Sequence, residues 1–146
     1  MPNPDQPVFD LNTFLPYQLA VAAAHVSKGF AALYQAEFGL SIPEWRVLAH
    51  LSQSGTVSVR EIQARVDMDK SKVSRAASRL ESAGLIEKRA HSTDKRLLEM
   101  TLTTTGRALM ARILPIATAY EHRVMAELGQ GGPAFRTALI ALTGRT

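Results

Sequence analysis

The sequence predicts a mainly α-helical protein with one small β-hairpin. Three observations carry this expectation. Apolar residues recur at helical spacing near both ends of the chain. Between residues 41 and 84, polar capping residues and short connections mark three successive helix starts. Residues 97–102 alternate apolar and polar, as a half-buried strand does.

Residues 1–10 carry three prolines and few apolar anchors, and read as an irregular arm. A long helix is expected next, with Leu11, Phe14, Leu15, Leu19, Ala22, Val26, Phe30, Leu33 and Tyr34 on one face, ending near Phe38 before Gly39. Ser41 and Glu44 have the spacing of a capping box, and Pro43 is tolerated in a first turn. That second helix turns Trp45, Leu48 and Leu51 inward and stops by Gly55. Ser58 and Glu61 form a second box over a short helix bearing Ile62 and Val66. Asp69 caps the next helix, which buries Val73, Ala76, Ala77 and Leu80 and ends at Gly84.

Residues 85–90 and 97–102 then form two strands around the polar turn 91–96. Thr103 or Thr104 caps a helix over residues 105–128, with Ile113, Ile116, Tyr120, Val124 and Leu128 on its apolar side and Pro115 as an expected kink. A glycine-rich break at 129–132 precedes a last helix over 133–143, with Phe135, Leu139 and Leu142 on one side. Three helices followed by a hairpin make a winged helix-turn-helix.

Composition narrows the function. The chain has 146 residues, enough for one domain with a real core, and 46% are apolar. It has no cysteine, which excludes disulfides, thiolate metal sites and a cysteine nucleophile. The longest apolar run, residues 19–24, is far short of the ~18 residues that span a membrane. The N-terminal MPNPDQP lacks a basic region before an apolar one, so no secretory signal is expected and a cytoplasmic, nucleoid-associated location is. The net charge is +4, unevenly placed. Residues 70–96 hold eight Lys and Arg against three carboxylates, a net of +5, which leaves −1 for the rest of the chain. Such a patch fits a polyanion site, and also a plain solvated face.

The helix opened by Asp69 favours the polyanion site, with a Lys/Arg face of an ordinary amphipathic helix as the alternative. Opposite its apolar side lie Lys70, Ser71, Lys72, Ser74, Arg75, Ser78 and Arg79. A major groove ~12 Å wide accepts one helix. Serines let the backbone come close, lysine and arginine neutralise phosphate, and arginine also bonds guanine in a bidentate way. The hairpin turn, His91, Ser92, Thr93, Asp94, Lys95 and Arg96, supplies a polar loop whose cations suit the narrow minor groove. Asp94 would repel phosphate, so it is read as the residue that orients Arg96; a solvated surface pair is the alternative.

The run RAHSTDKRLLEMTLTTTG from Arg89 to Gly106 resembles the wing signature of the MarR family of bacterial transcriptional regulators. That signature pairs an Asp-x-Arg, here Asp94 and Arg96, with a Leu-Thr-x-x-Gly, here Leu102, Thr103 and Gly106. Residues 69–87, with Leu-Glu-x-x-Gly-Leu-Ile at 80–86, are similar to the family as well. The resemblance implies a homodimer, with residues 41–102 as the DNA-binding lobe and residues 11–40 and 103–146 as a helical dimerisation region. The apolar stripes of the outer helices agree, being more than one small lobe can cover. It also implies a repressor on a pseudo-palindromic double-stranded operator, released by a small aromatic anion.

Candidate residues for that effector are Phe14, Tyr17, His25, Tyr34, Trp45 and Arg46, aromatic faces for a ring and cations for a carboxylate. A core or a dimer interface explains the same stripe. The histidines His25, His50, His91 and His122 show no close metal-site spacing, and neither a metal nor another cofactor is expected. Phosphate-loop and nucleophile-elbow motifs are missing, so an enzyme is not expected. The alternative to a regulator is a helical protein-interaction module that keeps the fold without specific DNA binding.

Overall fold

The computed structural model describes residues 1, 3–66, 68–94 and 97–145. Among these, the helices are α1 (Leu15–Phe38), α2 (Ile42–Ser54), α3 (Val59–Arg65), α4 (Lys70–Ser82), α5 (Thr104–Leu128) and α6 (Gly132–Thr143). The strands are β1 (Val57–Ser58), β2 (Ile86–Ala90) and β3 (Leu98–Leu102). The wing pairs as expected, antiparallel with Ile86 opposite Leu102 and Ala90 opposite Leu98. No helix among the described residues is long and apolar enough to cross a membrane.

The expected cap residues all act at their helix starts, one of them in part. Ser41 and Glu44 close a complete capping box at the start of α2. Ser58, Asp69 and Thr103 each accept a first-turn N–H of their helix. The box at Ser58 is only half made: Ser58 Oγ accepts from Glu61 N, while the Glu61 carboxylate turns to Arg65 at 3.9 Å.

Two elements differ from expectation. The first helix begins at Leu15, not Leu11. Asp10 caps a separate 3₁₀ turn over Leu11–Thr13, Phe14 is extended, and Pro16 favours a fresh helix start. The sheet has a third strand, because β1 pairs with β3, Val57 opposite Met100. Two residues carry no periodicity, so nothing local announces this strand.

The core lies where the middle of the chain folds on itself. Val47, Leu48, Leu51, Ile62, Val73, Leu80, Ile86, Met100 and Ile113 are all buried, with Tyr34 beneath the end of α1. Burying each large aliphatic side chain stabilises the fold by about 1.5–3 kcal/mol. Ala76 and Ala77 are small enough to let α4 lie close on α2. The outer helices behave differently. Leu15, Val21, Val26 and Leu33 of α1, Leu114 and Leu128 of α5, and Phe135, Leu139, Ile140 and Leu142 of α6 remain exposed. Leu15, Val26, Leu33, Leu128, Phe135, Leu139 and Leu142 belong to the expected apolar faces, but a single chain does not cover them.

Candidate nucleic-acid interface

The candidate recognition face is built by α4 from its cap outward. Asp69 Oδ1 accepts the Lys72 N–H at 2.9 Å, which fixes the helix start. Val73, Ala76, Ala77 and Leu80 are buried, and Lys70, Ser71, Lys72, Ser74, Arg75, Ser78 and Arg79 are all exposed. One helix thus presents an apolar anchor to the core and a polar, cationic face to solvent. Among the described residues, no hydrogen bond or ion pair reaches the side chains of Lys70, Lys72 or Arg75.

Arg79 is placed differently from its neighbours. Its Nη1 donates to Glu44 Oε1 at 3.2 Å, a residue of α2 that is buried. In the sequence Glu44 has the signature of a helix cap only; its second role depends on a partner 35 positions away. Other cations of the basic run are also paired. Lys88 lies 3.8 Å from Glu81, and Arg89 bonds Glu87 at 2.8 Å. Among the described residues of the run, the unpaired charge is therefore concentrated on the first half of α4.

The wing turn is organised by His91. Its Nδ1 accepts the backbone N–H of Thr93 at 3.2 Å and of Asp94 at 3.0 Å, while Nε2 lies 3.2 Å from Glu99. Nδ1 as acceptor and Nε2 facing the carboxylate fit these contacts, and Thr93 Oγ1 also lies 3.1 Å from Nδ1. His91 is thus the internal brace of the turn, and Ser92 and Thr93 are its exposed tip. Lys95 and Arg96, the two cations expected at the wing, lie outside the described residues, and so does the expected pairing of Asp94 with Arg96.

Five of the six effector candidates fall in three places, and the sixth, Arg46, lines a polar cavity beside Trp45. Phe14 packs edge-on against Phe9, ring centres 5.2 Å apart. Tyr17 and His25 are exposed along α1. Tyr34 and Trp45 join an aromatic cluster around Phe30, whose ring lies 4.9 Å from Tyr34, 5.0 Å from Trp45 and 5.5 Å from Tyr120. Phe30 and Tyr120, the centre of that cluster, have helical spacing in the sequence but no signal that they meet. Burial pushes the Tyr34 hydroxyl up to about 12, against the opposing charge of Arg46.

Two cavities flank this cluster. A polar one of about 290 Å³ is lined by Trp45, Arg46, His50, Gln53 and Arg65 among others. Arg65 Nη1 sits 3.1 Å from His50 Nε2. Partial burial first, and Arg65 second, hold His50 below its usual range, with Glu61 pulling the other way. The other, about 470 Å³ and almost wholly apolar, runs between α1, α5 and α6, past Leu19, Val26, Phe30, Tyr120, Val124 and Leu139. None of the six candidates lines it. Among the described residues, no group of three or more His, Asp or Glu could hold a metal ion.

Comparison with known proteins places this geometry. A sequence model of the MarR family matches residues 38–97. The HTH-type transcriptional repressor Rv2887 of Mycobacterium tuberculosis is 33% identical over 116 residues, 79% of this chain and 80% of that protein. The MarR family transcriptional regulator SPO1453 from Silicibacter pomeroyi superposes with a TM-score of 0.78 at 27% identity, covering 92% of this chain and 99% of that one. BpsR of Bordetella bronchiseptica, whose DNA binding is regulated by 6-hydroxynicotinic acid, shares the fold with a TM-score of 0.82 at 19% identity, covering 96% and 99%.

Proposed function

The chain belongs to the MarR family of transcriptional regulators, and from that premise we propose how its parts divide the work of a DNA-binding repressor. It is a DNA-binding regulator, and its relatives are regulators of transcription, not enzymes. The helix α4 enters the major groove, Arg75 reads a base edge, and Lys70 and Lys72 neutralise phosphates. The wing, from His91 to Arg96, follows the adjacent backbone and minor groove. One observation carries this reading: the whole polar face of α4 is exposed, opposite four buried apolar residues, and its leading cations have no internal partner among the described residues.

Residues 41–102 form the DNA-binding lobe, and residues 11–40 and 103–146 the region through which two copies pair. The apolar groove and the exposed leucines, valines and isoleucines of α1 and α6 support the pairing, since a lone chain leaves this surface in water. A two-fold dimer reads a pseudo-palindromic operator with half-sites ~34–36 Å apart. A small aromatic anion releases the dimer. The polar cavity supports this, with the Trp45 ring for stacking and the Arg46 and Arg65 guanidiniums for a carboxylate. The regulation of BpsR by an aromatic acid supports it at the level of the fold. Release requires only that the ligand prefer one spacing of the two lobes. The site of action is the cytoplasm, at the nucleoid.

Fluorescence anisotropy with labelled duplexes from the chain's own upstream region, against scrambled controls, tests the assignment. The expected result is two chains per duplex, sequence preference, a steep salt dependence, and release by aromatic carboxylates. Equal weak binding to every duplex would overturn it.

A further inference from the structure

Glu44 and Arg79 form an ion pair with unequal ends. The Glu44 side chain is 10% exposed and the Arg79 side chain 63%. Both oxygens of Glu44 are committed: Oε2 accepts the Ser41 N–H at 3.2 Å and Oε1 accepts Arg79 Nη1 at 3.2 Å. A carboxylate taken out of water keeps its charge at tolerable cost only when paired and hydrogen-bonded. The pair is therefore anchored at its carboxylate end, and the guanidinium is the end that solvent, or a competing anion, can reach.

Arg79 stands one helical turn beyond Arg75 on the same stripe of α4. Arg75 has no partner among the described residues, whereas Arg79 does. We infer that Glu44 is a positioning residue for DNA binding: by holding Arg79, it withholds one cation of the recognition helix from the phosphate backbone. A phosphate that captured Arg79 would strip a buried carboxylate of its cation, whatever the DNA sequence. The pair thus lowers the sequence-independent, salt-dependent part of duplex affinity and leaves base reading to Arg75. The inference rests on the proposed docking of α4 against DNA.

The test uses the full chain and a labelled mixed-sequence duplex over a salt series. Glu44→Gln keeps an N3 residue able to accept the Ser41 N–H, as capping boxes allow, and removes the charge that holds Arg79. Each additional phosphate neutralised steepens the slope of log affinity against log salt by about 0.9, so over an about fourfold rise in salt the variant should lose about threefold more affinity per bound lobe than the native chain. The E44Q/R79A double variant should return to the native slope. An unchanged or shallower slope in E44Q overturns the inference and leaves Glu44 a helix cap alone; a merely structural role would lower affinity without steepening the slope. Should E44Q lose its helical circular dichroism, the native chain decides. Its Arg79 guanidinium NMR signal should stay unmoved when the mixed duplex is added at low salt, and a shift overturns the inference. A native chain that binds no duplex removes the docking premise itself, a failure distinct from an unchanged slope.

Discussion

Gly106 and Leu85 meet at a distance that leaves no room for a side chain: a β-carbon on Gly106 would overlap the Leu85 carbonyl oxygen. That carbonyl also accepts the Thr103 N–H at 3.0 Å, and Thr103 Oγ1 donates to Gly84 O at 2.6 Å. The Leu-Thr-x-x-Gly segment is thus a clamp. It docks the start of α5 onto the turn between α4 and β2, and so joins α4 to α5.

Gly106→Ala tests the clamp. Backbone lies on the far side, so the added methyl cannot be relieved by a side-chain rotation. The expected loss is about 1–3 kcal/mol, in the range of overpacked sites. Chemical denaturation measures it, and an unchanged midpoint would show that α5 shifts freely.

Arg75 and Lys72 should separate by the kind of contact they make. Arg75→Ala should cost about 1–3 kcal/mol on the operator and relax preference at one base position. Lys72→Ala should weaken operator and mixed duplexes alike and make the salt slope shallower by about 0.9 per bound lobe. Equal losses on both duplexes for Arg75→Ala would reduce it to a phosphate contact.

His91 should matter for binding more than for stability. Replacing it with Ala removes the acceptor for the Thr93 and Asp94 N–H groups at the partly exposed wing turn. Duplex affinity should fall several-fold while the melting temperature stays close to native. Native affinity in the variant would show that the turn holds its shape without the ring.

His50 and Tyr34 predict stability losses at opposite ends of the pH range. His50 is lowered from its usual 6.5, so on acidification the unfolded chain takes up the proton first. Its contribution is complete above 6.5 and is lost as pH falls below that value. Tyr34 is raised from 10.0 to about 12, so its contribution is complete below pH 10 and is lost as pH rises toward 12. Melting curves of His50→Gln should show a weaker acid dependence than the native chain. Phenolate absorbance should show a late-titrating tyrosine that disappears in Tyr34→Phe, and full titration of all three tyrosines near pH 10 would contradict its burial.

Local signals in the chain specify the order of the helices, most of their limits, the wing, and which face of α4 carries the cations. Apolar periodicity and capping act over a few residues, so Ser41, Asp69 and Thr103 announce their helices without help from the rest of the chain. Features that depend on distant partners come from packing. β1 exists because β3 accepts Val57 as a neighbour. Arg79 is withheld because α2 and α4 pack closely enough for Glu44 to reach it. The aromatic residues of α1 divide between the Phe30 cluster and open surface, because only the end of α1 lies over the core. A stripe of apolar spacing states that a helix has a face to bury; where that face finds its cover is settled by packing between segments far apart in the chain.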